Sequence, residues 1–345
     1  MRMSMNFPSA VHFAFRCIQT VIAVAVGWGW VLGGVSPSAS AATGAPEIQR
    51  IASGSGGHVH PAICVTKTKA VLVAHFAEQD GKIFLLRSTD GGRTWHAQGP
   101  IADIGGVQPY PGALTTLRDG RIHLTWTTWR DPKDYKQGRR PSYITSSDDG
   151  LTWSAPRTLP VEYQPEGYIR HAIWERAADD WVFPTGVGLI RYNPATNQVS
   201  AFGDPQLFPG PLVLTQSGAL LHGRGFRSTD GGKTWAKRDG FPDVSSYRDD
   251  LRALDNGWVV AAIADDDRTF RLVVSYDDGR SWTVDRPWVM YDPGRYIGRA
   301  CPRLAQLDDE HLGVVFWDAE KTQPGGPSVF FARVKLEELK RRTMP

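Results

Sequence analysis

Along the chain, short apolar runs alternate with turns, and the alternation itself repeats. Each unit opens on a Pro or a small residue, continues as an alternating apolar run, turns at Gly or Asp, and resumes as a second apolar run. His60-Pro61-Ala62-Ile63-Cys64-Val65 leads in this way to the run at 70–76, and Tyr110-Pro111-Gly112-Ala113-Leu114 to the run at 121–129. Further copies begin at Tyr168-Ile169-Arg170-His171-Ala172-Ile173, at Pro211-Leu212-Val213-Leu214, at Arg248-Asp249-Asp250-Leu251 and at Arg299-Ala300-Cys301-Pro302-Arg303-Leu304. Short runs with period-two alternation, bounded by turn residues, predict β-strands. Only the charged tail 335–342 reads as a helix, a short one at a solvated surface. Six units of about 40–60 residues have the size of four-stranded propeller blades, and a closed ring of blades leaves no exposed sheet edge. The expectation is an all-β chain, a six-bladed β-propeller of four-stranded blades, with residues 42–345 as one domain.

A tighter pattern recurs four times inside these units. It reads Ser88-Thr89-Asp90-Gly91-Gly92-Arg93-Thr94-Trp95, then Ser146-Ser147-Asp148-Asp149-Gly150-Leu151-Thr152-Trp153. It returns as Ser228-Thr229-Asp230-Gly231-Gly232-Lys233-Thr234-Trp235 and as Ser275-Tyr276-Asp277-Asp278-Gly279-Arg280-Ser281-Trp282. Ser and Asp side chains in such a turn bond its own backbone amides, Gly accepts a positive φ, and Trp lies back over the sheet. The turns lack the carboxylate density and the distal Glu of a calcium loop, so their role reads as structural. The third and sixth units lack the motif and are expected to turn at Asn193-Pro194 and Gln323-Pro324-Gly325-Gly326.

Composition agrees with this. Of 345 residues, 41% are hydrophobic and 22% charged, which suits a globular chain rather than a disordered one. A formal charge of +3 is too weak for a protein whose work is gripping nucleic acid. Residues 1–41 carry Arg2 and Arg16 but no Lys, Asp or Glu, and an apolar run at 18–35 precedes Ala39-Ser40-Ala41. These are the parts of a secretory signal peptide, with an uncleaved anchor as the alternative. A secreted or periplasmic protein, with no stable membrane insertion after cleavage, is expected. Three cysteines exclude a disulfide-stapled mini-fold. Aligning Pro61 with Pro302 sets Cys64 opposite Ala305, ~13 Å along the strands from Cys301, so no bond between Cys64 and Cys301 is expected.

The fourfold Ser-x-Asp-x-Gly-x-Thr-Trp motif resembles the Asp box of the sialidase (neuraminidase) superfamily, also called the BNR repeat, and the resemblance spans residues 47–335. It implies the six-bladed propeller and a glycan-active enzyme, in particular an exo-sialidase-like glycoside hydrolase acting on an acidic sugar. Asp boxes lie away from the active site in that family, so the catalytic positions must be matched singly. The family's Tyr/Phe-Arg-Ile-Pro stretch corresponds to His58-Val59-His60-Pro61, which keeps Pro and has Val59 at the arginine position. Its acid corresponds to Asp80, in Glu78-Gln79-Asp80-Gly81. Its catalytic Glu falls on Arg248, with Asp249 next. Its nucleophilic Tyr falls in Cys301-Pro302-Arg303-Leu304, with Tyr296 five residues before Cys301.

In a propeller the innermost strands start at one rim, so their first residues surround the central mouth. Those residues are His58 and His60; Tyr110; Tyr168, Arg170 and His171; Tyr247, Arg248, Asp249 and Asp250; and Arg295, Tyr296 and Arg299. From these, Arg170, Arg248 and Arg299 are candidates to hold a carboxylate, with Tyr110 and His171 beside the substrate. Asp80 or Asp249 would be the acid, Tyr296 the substitute nucleophile, and His60 and Tyr168 the groups that exchange protons. Arg248 next to Asp249 and Asp250 reads equally as an ion pair tying blades together. His58 and His60 share a strand face, but two imidazoles do not make a metal site, and no cofactor is implied. Two other functions use the same rim. A polysaccharide lyase acting on uronates needs a cation against the carboxylate and a His or Tyr to remove the α-proton. A non-catalytic glycan- or protein-binding propeller needs neither. The expected partner is an acidic glycan, and the expected state a monomer.

Overall fold

The computed structural model describes residues 46–344 except 55–59, 78–81, 104–109, 132–133, 204–206, 208, 245–246, 266, 299 and 320–325. The described chain is nearly all β and forms six four-stranded antiparallel sheets arranged as the blades of a propeller. After β1 (Glu47–Ala52), the first blade is β2 (Ala62–Val65), β3 (Val71–Ala77), β4 (Lys82–Ser88) and β5 (His96–Asp103). The second is β6 (Tyr110–Thr116), β7 (Ile122–Trp129), β8 (Arg139–Ser146) and β9 (Arg157–Thr158). The third is β10 (Trp174–Ala177), β11 (Asp180–Thr185), β12 (Gly188–Asn193) and β13 (Gln198–Phe202). The fourth is β14 (Leu212–Leu214), β15 (Leu220–His222), β16 (Phe226–Ser228) and β17 (Ala236–Lys237). The fifth is β18 (Asp250–Ala253), β19 (Val259–Ala264), β20 (Phe270–Ser275) and β21 (Trp288–Tyr291). The sixth is β22 (Arg303–Gln306), β23 (His311–Asp318) and β24 (Ser328–Lys335), completed by β1.

That last blade departs from the expected turn pattern. Its outer strand comes from the start of the folded chain, β1 pairing antiparallel with β24 from Glu47↔Arg333 to Ala52↔Val329. The ring is thus closed by hydrogen bonds between the two ends of the chain, and the sixth blade needs no turn after its third strand. The Gln323–Gly326 stretch lies instead between its second and third strands, with 320–325 outside the described residues. In the third blade the Asn193-Pro194 turn does join the last two strands, as expected. The tail forms α1 (Leu336–Thr343), and it is more than a solvated end. Leu336, Leu339 and Thr343 are buried, Thr343 Oγ1 meets Tyr276 Oη at 2.6 Å, and Arg342 stacks over Trp288 at 4.8 Å.

The core consists of six wedges, each between neighbouring blades. Leu72 and Leu85 pack with Leu124 and Trp126 between the first and second, and Val273 and Leu251 with Leu221 between the fourth and fifth. Val260, Leu272, Phe316 and Phe330 fill the wedge between the fifth and sixth, and Val73, Val315 and Phe331 close the ring between sixth and first. Middle strands are therefore covered on both faces, which is why β19 reads as a nearly unbroken apolar run.

Each Asp box fastens its blade to the blade before it. The four motifs join third to fourth strands, on the rim opposite the starts of the inner strands. In the second blade, Ser146 Oγ accepts from the Gly150 amide at 2.9 Å and donates to Asp148 Oδ1 at 2.8 Å. Asp148 Oδ1 accepts from the Thr152 amide at 2.8 Å, and Trp153 Nε1 donates to the Gly150 carbonyl at 3.1 Å. The other boxes repeat the serine contact at 2.8–2.9 Å. Gly150 has φ +84° and lies so close to Leu72 of the first blade that a Cβ would stand 2.7 Å from Leu72 Cδ1. Gly279 meets Leu221 of the fourth blade in the same way, at 2.3 Å. Polar cross-links follow the same direction: Asp149 pairs with Arg87 at 3.2 Å and Asp278 with Arg227 at 3.4 Å.

Two predictions follow from this geometry. Replacing Ser146 by Ala leaves the buried Gly150 amide without its acceptor and should cost about 1–3 kcal/mol in denaturant unfolding. The box carboxylates also make stability pH-dependent. Hydroxyl and amide donors from Thr152 hold Asp148 at about 2, and at Asp90, where burial pushes upward, Thr94 and Ser88 outweigh it and give the same value. A depressed folded pKa stabilises above the unfolded value of about 4 and is lost as pH falls toward 2. Melting temperatures should fall over that window, and fall less once the box aspartates are replaced by Asn.

Candidate functional site

Antiparallel meandering gives the starts of the inner strands and the turns between second and third strands one common rim. Three aromatic or imidazole rings from the first, third and fifth blades meet there. His60, just before β2, and Tyr168, ahead of β10, both stand edge-on to Tyr247, ahead of β18, with ring centroids 6.0 Å apart in each pair. The three blades alternate around the ring, so side chains from all of them can touch only near its axis. Tyr247 is the middle of the mouth.

Guanidinium groups surround these rings. Arg139, at the start of β8, stacks over Tyr168 at 5.2 Å and over Trp129 at 4.7 Å, and its Nε donates to the Pro165 carbonyl at 2.7 Å. Arg170 is buried and donates from Nη1 to Thr127 Oγ1 at 3.2 Å and to the Ile169 carbonyl at 3.1 Å. Arg248 stacks over Tyr247 at 5.9 Å and pairs with Asp267 at 2.9 Å; their side chains are 27% and 40% exposed. Arg303, only 4% exposed, donates to the carbonyls of Tyr247, Arg248, Asp249 and Pro302 at 2.7–3.2 Å. It props the segment that carries Tyr247 and Arg248. Ala300 and Cys301, just ahead of it, both take left-handed φ values, 48° and 47°, a strain of about 1–3 kcal/mol each that the Trp317 amide, donating to the Ala300 carbonyl at 2.7 Å, helps to hold.

The acids are engaged as well. Asp249 is buried and its Oδ1 accepts from the Ala264 amide at 3.0 Å. Asp250 Oδ2 accepts from the Leu304 amide at 2.8 Å, and burial pushes its carboxyl above the ordinary range. Burial, then Glu166, also raise the Tyr168 phenol, against Arg170 and Arg139, so Tyr168 is a proton donor at neutral pH. His171 is fully enclosed; burial, then Arg303, His222 and Arg170, hold it well below its usual pKa, and it is neutral.

His60, Tyr168, Arg170, His171, Arg248 and Asp249 therefore share the rim. Tyr296 is 55% exposed; its neighbour Arg295 is held by Asp318 through two bonds of 2.8 Å, and its other neighbour Ile297 donates its amide to the Asp267 carbonyl at 2.9 Å. Asp80, Arg299 and His58 lie outside the described residues, and of Tyr110 the backbone alone is described, at the start of β6. Neither Cys64 nor Cys301 forms a disulfide, and both are buried. Among the described residues no group of three metal-ligating side chains occurs, and no helix is long and apolar enough to cross a membrane. Counting only inner-strand starts overlooks Arg139 and Trp129, and the acids Asp267 and Asp318, because these sit on turns between second and third strands. The signal was available: those turns end on the same rim.

Two family models match the chain, a BNR repeat-containing family member over residues 68–196 and a BNR/Asp-box repeat over 226–237. No curated protein matches it. Among solved structures, a Dyadobacter fermentans protein of unknown function is 16% identical with a TM-score of 0.59, the alignment covering 84% of this chain and 99% of that one. The intramolecular trans-sialidase of Ruminococcus gnavus is 12% identical with a TM-score of 0.57, covering 88% and 100%. The Hadza microbial sialidase Hz136 is 18% identical with a TM-score of 0.56, covering 80% of this chain and 65% of that chain. With its four Asp boxes and six blades, the chain carries BNR/Asp-box repeats and shares the propeller fold of the solved sialidases it resembles.

Proposed function

We propose that this is an exported glycan-active enzyme, released from its first 41 residues, that binds an acidic sugar at the mouth and hydrolyses its glycosidic bond. The observation that carries this reading is the meeting of His60, Tyr168 and Tyr247 on the axis with Arg248 at their edge. Aromatic faces suit sugar rings, and a half-exposed ion pair such as Arg248–Asp267 is worth only about 0–1 kcal/mol. A substrate carboxylate can therefore take the place of Asp267 on Arg248 at little cost. Buried Arg170 and Arg303 add positive field without leaving their partners. Tyr168, kept protonated, would donate to a leaving oxygen, and Asp249 is a buried carboxylate of the same rim.

One observation favours a second reading, a lyase acting on uronates. His60 and Tyr168 flank one tyrosine ring, the span over which a base would remove an α-proton and an acid would protonate the departing oxygen, with Arg248 holding the carboxylate.

Incubation of the mature protein with sialosides and uronate-containing oligosaccharides separates the readings. Hydrolysis releases free sugar without new ultraviolet absorbance; elimination produces an unsaturated, absorbing product; binding without turnover identifies a lectin-like propeller. Whichever reaction occurs, R248A should lower kcat/KM by about 10–100-fold and Tyr168→Phe by about 10²–10⁴-fold, with circular dichroism unchanged. Full activity in both variants would remove the mouth from the mechanism.

A further inference from the structure

Below the mouth, all six inner strands enclose an axial channel of about 240 Å³. Polar and apolar surface line it about equally, the apolar part from residues such as Ala62, Ala113, Ala172 and Leu212. Only three charged side chains line it: Asp250, Arg252 and Arg303. Two guanidinium charges thus face one carboxylate, and that carboxylate already accepts a backbone hydrogen bond from Leu304. The four carbonyls around Arg303 satisfy its terminal nitrogens but bring no negative charge, and its Nε, buried, has no hydrogen-bond acceptor. Arg252 shares that lack. Its Nε is buried without a hydrogen-bond acceptor among the described residues. Leaving such buried donors unmet is costly, and an excess of cationic side chains in the lining adds to that cost.

We propose that the axial channel binds a small inorganic monovalent anion, of the chloride or nitrate class, through Arg252. The volume is that of about eight water molecules, ample for one such ion with part of its hydration. The ion neutralises the excess positive charge between the fifth and sixth blades and gives Arg252 its missing acceptor. It acts as a structural ligand of the ring, whatever the mouth does to a glycan.

Melting of the mature protein at constant ionic strength, with sodium gluconate replaced stepwise by chloride, bromide or nitrate, tests this. Gluconate serves as the bulky reference anion. A saturating rise is expected, about 2–4 °C at ten times the dissociation constant, and R252M should abolish it. Crystals grown in bromide should show an anomalous peak against Arg252. A rise that never saturates, or persists unchanged in R252M, or bromide found only on the outer surface, overturns the proposal. Should R252M fail to fold, the bromide peak in the wild-type protein decides alone.

Discussion

The structure depends on packing between blades rather than within them. A single four-stranded sheet here has two apolar faces and cannot bury either one alone. Each wedge, from the Leu72–Trp126 cluster to the Val315–Phe331 cluster, is shared by two sheets, so removing a blade would expose two neighbours. The ring is the least structure that satisfies all six. The Asp boxes enforce it locally: a left-handed glycine brings the turn onto the preceding blade, and a serine and an aspartate fix the turn in that shape. Pairing of β1 with β24 then joins the two ends of the chain.

This division of labour separates stability from chemistry in space. Boxes occupy one rim, where their polar atoms are spent on their own backbone. The opposite rim collects the first residues of inner strands and the hairpins between second and third strands, and these carry Tyr, His and Arg. Buried arginines there serve the backbone: Arg303 gathers four carbonyls and sets the position of Tyr247 and Arg248. Arg248 at that rim is only partly buried, and its partner Asp267 is 40% exposed.

Fold was legible because its signals are local and repeated. Four turns of one spelling and six alternating units carry the blade count, and burial on both faces explains the long apolar runs. The closure by β1 was not legible, since Glu47–Ala52 mixes charged and apolar positions and pairs with residues nearly three hundred positions away. The rim was legible in part. Tyr168, Arg170 and Arg248 follow from strand starts, but their partners do not, because Asp267, Thr127 and Arg139 lie on other strands whose rim is set by topology. The stretch Cys301-Pro302-Arg303-Leu304, where the resemblance places the family's tyrosine, carries Arg303, whose inward work on carbonyls has no signal in the sequence.

The central claim is that Tyr247 marks the floor of a glycan site edged by Arg248. A crystal structure with an acidic oligosaccharide bound tests it most directly. The account predicts a sugar ring over the His60–Tyr168–Tyr247 cluster with its carboxylate on Arg248 and Asp267 displaced. A sugar bound on the Asp-box rim, or on the outer strands with the mouth empty, would contradict it.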